Sequence, residues 1–316
     1  MSLSFYARLK RKHTPVDELV SRRTFLRQMT LASGALLLSS CGPGWSRGGR
    51  GDRPRVLVAG AGFAGLAAAF ELASAGYDVV ILESRKRAGG RVLSFTDFPN
   101  GRVVEGGAEL VGSNHPMWMS YADRFGLTFL DLSADEDLNE PFLLHDRVLD
   151  PSEVEGLYEE MDAAAAALTR DAASVDADRP WLSPDARELD ARTTRQWLDG
   201  LSLSELGRYA AGTELMHNNG VPLEQQSYLG NLAQVKGGGL EAYWTESEVY
   251  RCAGGNQQLA YRLAEAIGSD RIHLDDPIVR VTTTDAGVSV RTASGQLHEG
   301  DDLVFTVPPP CGPRSR

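Results

Sequence analysis

Residues 55–91 read RVLVAGAGFAGLAAAFELASAGYDVVILESRKRAGGR, and this stretch decides the fold. Val56, Leu57, Val58 and Ala59 form a short apolar run, the pattern of a strand buried on both faces of a parallel sheet. Gly60, Gly62 and Gly65 follow with the spacing G-x-G-x-x-G and enclose Phe63 and Ala64. The first glycine permits a tight turn, the second lets a pyrophosphate approach bare backbone, and the third lets a helix pack close on the strand. Leu66–Ala75 is alanine-rich and suits that helix, whose amino end would face the phosphates. Tyr77–Leu82 reads as a second strand. Glu83 ends it about 20 residues after the glycines, where an acid accepts hydrogen bonds from a ribose. Strand, helix, strand and acid in this order predict an α/β dinucleotide-binding domain of Rossmann type.

The next residues, Glu83-Ser84-Arg85-Lys86-Arg87-Ala88-Gly89-Gly90-Arg91, make a second glycine turn closed by arginine. They resemble the E-x-x-x-R-x-G-G-R element of the flavin amine oxidase family, which includes monoamine, L-amino-acid and polyamine oxidases. The resemblance implies FAD as cofactor and an FAD-type (GR2-like) Rossmann domain with an inserted, mostly helical substrate domain. In the family this element reaches the FAD pyrophosphate: two bare backbones let the phosphates come close, and a guanidinium forks onto them. Carried over residue by residue, the cofactor contacts fall on Gly60, Gly62, Phe63, Ala64, Gly65, Glu83, Ser84, Arg85, Arg87, Gly89, Gly90 and Arg91.

Further motifs extend the resemblance. In 100–114, NGRVVEGGAELVGSN, the run Glu105-Gly106-Gly107-Ala108-Glu109 is similar to the strand and turn that pass beneath the flavin ring. This adds Gly107, Ala108 and Glu109 to the cofactor contacts. Family members more often carry aspartate where Glu105 stands. Met117–Phe125 reads as a helix closed by Gly126, with His115 a loop residue at its start. From Leu130 to about Leu203 the chain is acidic, alanine-rich and helical in pattern. Arg192–Leu198 resembles a helix start in the substrate domain, with Trp197 a core residue. Gly230–Tyr250 resembles the region leading back from that domain in bacterial amino-acid oxidases, and Lys236 reads as a solvated loop lysine or a contact near the substrate cavity. Gly254-Gly255 ahead of a helix Gln257–Ile267 resembles the family's returning G-G-x-x-x-L element. Asp275–Val281 is similar to the strand whose backbone meets the adenine end of FAD, and Ile278 matches that position. Val288–Thr292 and Leu303–Val307 read as further strands.

These readings divide the chain into a first FAD-binding part at 55–115, a substrate-binding part at 116–245 and a returning FAD-binding part at 246–310. Residues 1–41 read as a leader. Ser21-Arg22-Arg23-Thr24-Phe25-Leu26 ahead of a short apolar stretch resembles a twin-arginine export signal. Leu38-Ser39-Ser40-Cys41 resembles a lipobox whose Cys41 would carry a lipid, and 42–54 a flexible tether. The expected location is therefore the periplasm, free or membrane-anchored through Cys41, reached by the twin-arginine machinery. The resemblance runs from Arg55 to about Pro309, whereas the family continues beyond that step. Residues 311–316 match nothing in it, so the chain is expected to be a fragment with weak flavin retention and no turnover.

A net charge of −11 argues against a nucleic-acid partner. Cys41, Cys252 and Cys311 are too scattered for a metal site, and so are the six histidines. The resemblance implies oxidation of a primary amine or L-amino acid to an imine, with O2 reduced to peroxide. The alternatives are a flavoprotein resembling tryptophan 2-monooxygenase or carotenoid desaturase, and a truncated, non-catalytic flavoprotein. No catalytic residue is assigned.

Overall fold

The computed structural model describes Tyr6 and residues 53–132, 141–144 and 146–308. The export motif, the lipobox, 42–52 of the tether and the tail 311–316 lie outside the described residues. Two units form. One takes 53–109, 120–129 and 252–308; the other takes Tyr6 with the described parts of 110–119 and 130–251. The sequence expectation placed the divisions at 115/116 and 245/246. The observed ones fall at 109/110 and 251/252, and the second half of the helix Pro116–Phe125 returns to the first unit. Tyr121 and Phe125 on that half pack edge-on against Phe70, with ring centroids 5.9 and 5.7 Å away.

The first unit is built on a four-stranded parallel sheet. Its order is Asp302–Phe305, Arg55–Ala59, Asp78–Leu82 and Ile272–His273. Leu57 sits between Leu303 and Val80 in register. Leu57, Val58, Ala59, Val79 and Ile81 are fully buried, which explains the unbroken apolar pattern of these strands. The helix Phe63–Ser74 lies against the sheet and against the helix Gln258–Ile267. Leu259, Leu263 and Ile267, spaced by four, form the buried stripe of the latter. A three-stranded antiparallel sheet, Ile278–Thr284, Gly287–Thr292 and Leu297–Gly300, buries Val288 and Val290 with Leu57 and Leu82. The strand expected from Asp275 starts only at Ile278. Asp275 adopts φ +62°, and the Asp276 carboxylate accepts from Ser294 N (2.9 Å) and Oγ (2.6 Å), so the preceding residues form a turn.

The second unit is helical. Its longest helix, Pro151–Ala172, starts with a capping box: Asp150 accepts from Ser152 and Glu153 N–H groups while Glu153 reaches back to the cap. Val154, Leu157, Met161, Ala164, Ala165, Leu168 and Ala172 form its buried face. The alanines there keep the face shallow, so the helix Tyr228–Gly237 packs directly onto it. The helix Thr194–Asp199 has its own capping box, Thr193 with Gln196, and buries Trp197 in a stack on Tyr228 with centroids 5.5 Å apart. Glu160 ties the start of the helix Glu205–Asn219 by accepting from Ser204 N at 3.1 Å and Oγ at 2.8 Å.

Two expectations fail here. A hairpin, Leu143–Leu144 with Arg147–Val148, interrupts the stretch read as helical, turning at Asp146 with φ +59°. Lys236, read as a loop lysine, stands on the first of two helices, Tyr228–Gly237 and Glu241–Glu246. Ser227 caps the first through Gly230 N, and Tyr228, Leu229, Leu232 and Val235 give it an apolar face. The glycines mark only the break between the helices.

Candidate functional site

In the sheet unit, the G-x-G-x-x-G residues occupy the turn between the central strand and the helix Phe63–Ser74. Gly60 has φ +105°, and its N–H donates to Leu82 O at 2.8 Å, hooking the turn onto the neighbouring strand. A Cβ on Gly65 would stand 2.0 Å from Gly60 O, so the close helix–strand approach read from the sequence is present. Gly62 caps the helix without any side-chain hydrogen bond, and the first turn, Phe63-Ala64-Gly65, carries no acid. The helix's own first turn therefore supplies no counter-charge to the positive end of its dipole.

The second glycine turn runs alongside the first. Gly89 N–H donates to Ala61 O at 2.8 Å, and a Cβ on Gly90 would come within 3.0 Å of Gly62 Cα. Two stretches of bare backbone thus lie side by side. Arg85 Nη1 and Arg87 Nη2 both donate to Gly90 O, at 2.9 and 2.8 Å, and Arg87 Nη1 also donates to Val92 O at 3.1 Å. In this arrangement the two guanidinium groups shape the turn. Arg91, the guanidinium read as forking onto phosphate, is exposed.

Glu83 is 6% exposed at the carboxyl end of its strand. Its Oε2 accepts from Ala61 N at 2.7 Å, and its Oε1 from Arg85 N at 2.8 Å and Ser84 Oγ at 3.3 Å. These donors offset the cost of burying the charge and lock its direction. Oε2, with one donor, has a second lone pair with which to accept a hydroxyl. The segment leading to Ile278 runs beside this acid, since Asp275 N donates to Arg85 O (2.9 Å) and Asp276 N to Glu83 O (3.2 Å).

Three groups were missed by the sequence reading. Asn256, 1% exposed, donates through Nδ2 to Ala108 O at 2.6 Å and Glu109 O at 2.8 Å. It supports Ala108, which is held at φ +55°, just past Gly107. Gln257, 2% exposed, donates to Ala88 O at 3.0 Å and accepts from Ser94 N at 3.0 Å. Glu105 joins this network by accepting from Asn256 N at 2.8 Å and Ser94 Oγ at 2.6 Å. Thr306 Oγ1 donates to Ala59 O at 2.7 Å and lies against the Gly60 and Gly65 positions. The one local hint was the pair of amides directly after Gly254-Gly255, where a helix start offers them no role of its own.

The helical unit holds a separate cavity of about 430 Å³. Asn114, His115, Gln234, Tyr243, Trp244 and Glu248 are among its lining residues. Asn114 Nδ2 donates to Gly238 O (2.7 Å) and Ser247 Oγ (2.9 Å), and its Oδ1 is buried without a partner. His115, read as a loop residue, borders the cavity. Its Nδ1 accepts from Gly112 N at 2.9 Å, and burial lowers its pKa from 6.5, favouring the neutral ring. Tyr243 is pushed up to about 12 by burial and then by the Glu214 and Glu248 carboxylates. Lys236 is not among the lining residues. It ends its helix with Nζ donating to Ala173 O at 2.7 Å. Cys252 is buried, and burial followed by the Glu105 charge raises its thiol to about 11, so it stays protonated. No metal-binding cluster occurs among the described residues.

The family described as flavin containing amine oxidoreductase matches residues 63–312. Amine oxidase [flavin-containing] B of Mus musculus is 27% identical over 278 residues, covering 83% of this chain and 51% of the mouse protein. Putrescine oxidase of Kocuria rosea is 30% identical over 280 residues, covering 80% and 56%. The chain thus spans about half the length of the curated relatives it matches. Among solved structures, putrescine oxidase bound to putrescine superposes with a TM-score of 0.65 at 27% identity, covering 81% of this chain and 58% of that one. Cyclohexylamine oxidase from Brevibacterium oxydans IH-35A gives 0.69 at 25%, covering 80% and 57%.

Proposed function

The chain belongs to the flavin-containing amine oxidoreductases, whose cofactor is FAD, and from that membership we propose that the protein oxidises a primary amine to an imine with O2 as final acceptor. The observation that carries the reading is the pair of glycine turns in the sheet unit. They form a cradle that a side chain at Gly62 would fill, beside a buried acid with a spare lone pair on Oε2. That donor set fits the ADP half of FAD. Gly62, Gly89 and Gly90 would admit the pyrophosphate, the helix amino end would offset its charge, and Glu83 would accept the ribose hydroxyls. Bound FAD supplies the acceptor for a hydride from the carbon bearing the amine and passes the electrons to O2 as peroxide. The chain's own residues bind and orient the cofactor, and Asn256 and Gln257 hold the two stretches that would meet it.

An amine is favoured over an L-amino acid by the helical unit's cavity. Among the described residues, no lysine or arginine lines it to receive a carboxylate, while Glu248 does. Export by the twin-arginine route, to a free or lipid-anchored periplasmic form, is proposed from Ser21–Leu26 and Cys41. The test is flavin content by absorbance together with peroxide release from primary amines and from L-amino acids. Added FAD is expected to bind, and any peroxide released is expected to come from amines rather than from L-amino acids. Protein that binds no added FAD overturns the cradle assignment, and a preference for amino acids overturns the amine assignment.

A further inference from the structure

Tyr6 lies in the core of the helical unit with 1% of its surface exposed. Its hydroxyl donates to Asp162 Oδ1 at 2.6 Å, across 156 residues of sequence. Its ring stands edge-on to Trp244, with centroids 5.5 Å apart and planes at 87°. Burial first, and the Asp162 hydrogen bond second, hold the phenol proton far more tightly than in water. The seat is built from two helices. Tyr158 and Asp162 stand one turn apart on Pro151–Ala172, and Glu241 and Trp244 one turn apart on Glu241–Glu246. Neither helix makes this seat alone.

We propose that the segment carrying Tyr6 is an intramolecular ligand of the helical unit. It docks once these two helices have packed together, so that Tyr6, upstream of Arg22-Arg23, belongs to the folded body. The occupant is this chain's own amino terminus, since Tyr6 itself fills the seat. The sequence that follows, Ala7-Arg8-Leu9-Lys10-Arg11-Lys12, is basic, and the seat carries Asp162 and Glu241. A leader docked in this way reports that the helical unit has folded. Trp244 also lines the cavity of the same unit, so removing Tyr6 takes away the support behind one cavity wall. The proposal requires neither bound flavin nor amine turnover.

The test is to place a site-specific protease sequence within residues 42–52, cut the purified full chain and pass it over a sizing column. The amino-terminal piece is expected to co-elute with the body and to leave the melting temperature unchanged. Tyr6→Ala should release the piece after cutting and lower the melting temperature by about 5–10 °C, as expected for emptying a buried aromatic site. Tyr6→Phe, which keeps the ring and loses the hydrogen bond, should lower it by about 2–4 °C. Separation of the piece from the unsubstituted body overturns the proposal, and so does a Tyr6→Ala chain that melts with the parent. The cut of the unsubstituted chain decides the matter even where Tyr6→Ala does not fold.

Discussion

The sheet unit and the helical unit each form a concave site, by opposite means. Around Gly60–Gly65 and Gly89–Gly90 the concavity exists because side chains are missing, and its donors are backbone groups held by turn geometry. In the helical unit the cavity is walled by large side chains, with Tyr243 and Trp244 edge-on at 4.8 Å, and its lining includes the polar residues Asn114, His115 and Glu248. One added carbon therefore does different things in the two places. In the first it occupies the ligand's own space or breaks the backbone packing. In the second it changes the shape of a wall.

The contrast can be broken most forcefully at Gly65. Gly65→Val puts a side chain onto Gly60 O, which is backbone and cannot turn aside, and should cost about 4 kcal/mol or more. A cooperative thermal melt near the parent's would show that helix and strand are not packed this way. Trp197→Ala is the counterpart in the helical unit. It should cost about 3–5 kcal/mol by emptying the stack on Tyr228, yet leave flavin affinity unchanged in the folded fraction. Weakened flavin binding at matched folding would mean that the units are not independent in this respect. Gly62→Val should do the reverse. The nearest atom to a Cβ there is Gly90 Cα at 3.9 Å, so folding tolerates it, while flavin binding should fall about 100-fold, near 2.7 kcal/mol. A flavin titration matching the parent's would remove the cradle from its role.

How much of this was legible in the sequence follows the same division. Strand, turn, helix and Glu83 could be read because their constraints are local: a positive φ or a close approach selects glycine within a few residues of the strand it serves. The Gln257–Ala88 bond joins residues 169 apart, and nothing near either one announces the other. Arg87 was legible as a cofactor contact but not in its direction, because whether a guanidinium meets a phosphate or Gly90 O is decided by tertiary placement. In the helical unit, Gly237-Gly238-Gly239 drew the reading of Lys236 toward a loop, while the apolar spacing of Tyr228, Leu229, Leu232 and Val235 makes a helix up to the first of those glycines.

The smallest effect expected is one of pH. Burial lowers the His115 pKa below 6.5, so the unfolded chain takes up a proton before the folded one does. Its contribution to stability is complete above about pH 6.5 and is lost as pH falls through the lowered folded value. His115→Gln should flatten the parent's slope of melting temperature against pH between about pH 5 and 7. Because burial also lowers His298 in the sheet unit, part of the slope should remain. An unaltered slope would mean that His115 is as well solvated in the folded state as in the unfolded one.

The strand Arg55–Ala59 lies between Asp78–Leu82 and Asp302–Phe305. One neighbour follows it within a few tens of residues. The other side is closed by the segment whose Thr306 meets Ala59 across 247 positions. At about 5–20 residues per second, a ribosome needs on the order of 12–50 s to make that interval. Throughout it, the future centre of the sheet is an open edge, a template for mispairing with other nascent chains. A nucleotide captured early would meet a turn that still lacks Thr306 and the Gln257 bond to Ala88. The pair of glycine turns therefore gains its last supports only at the end of this stretch of translation.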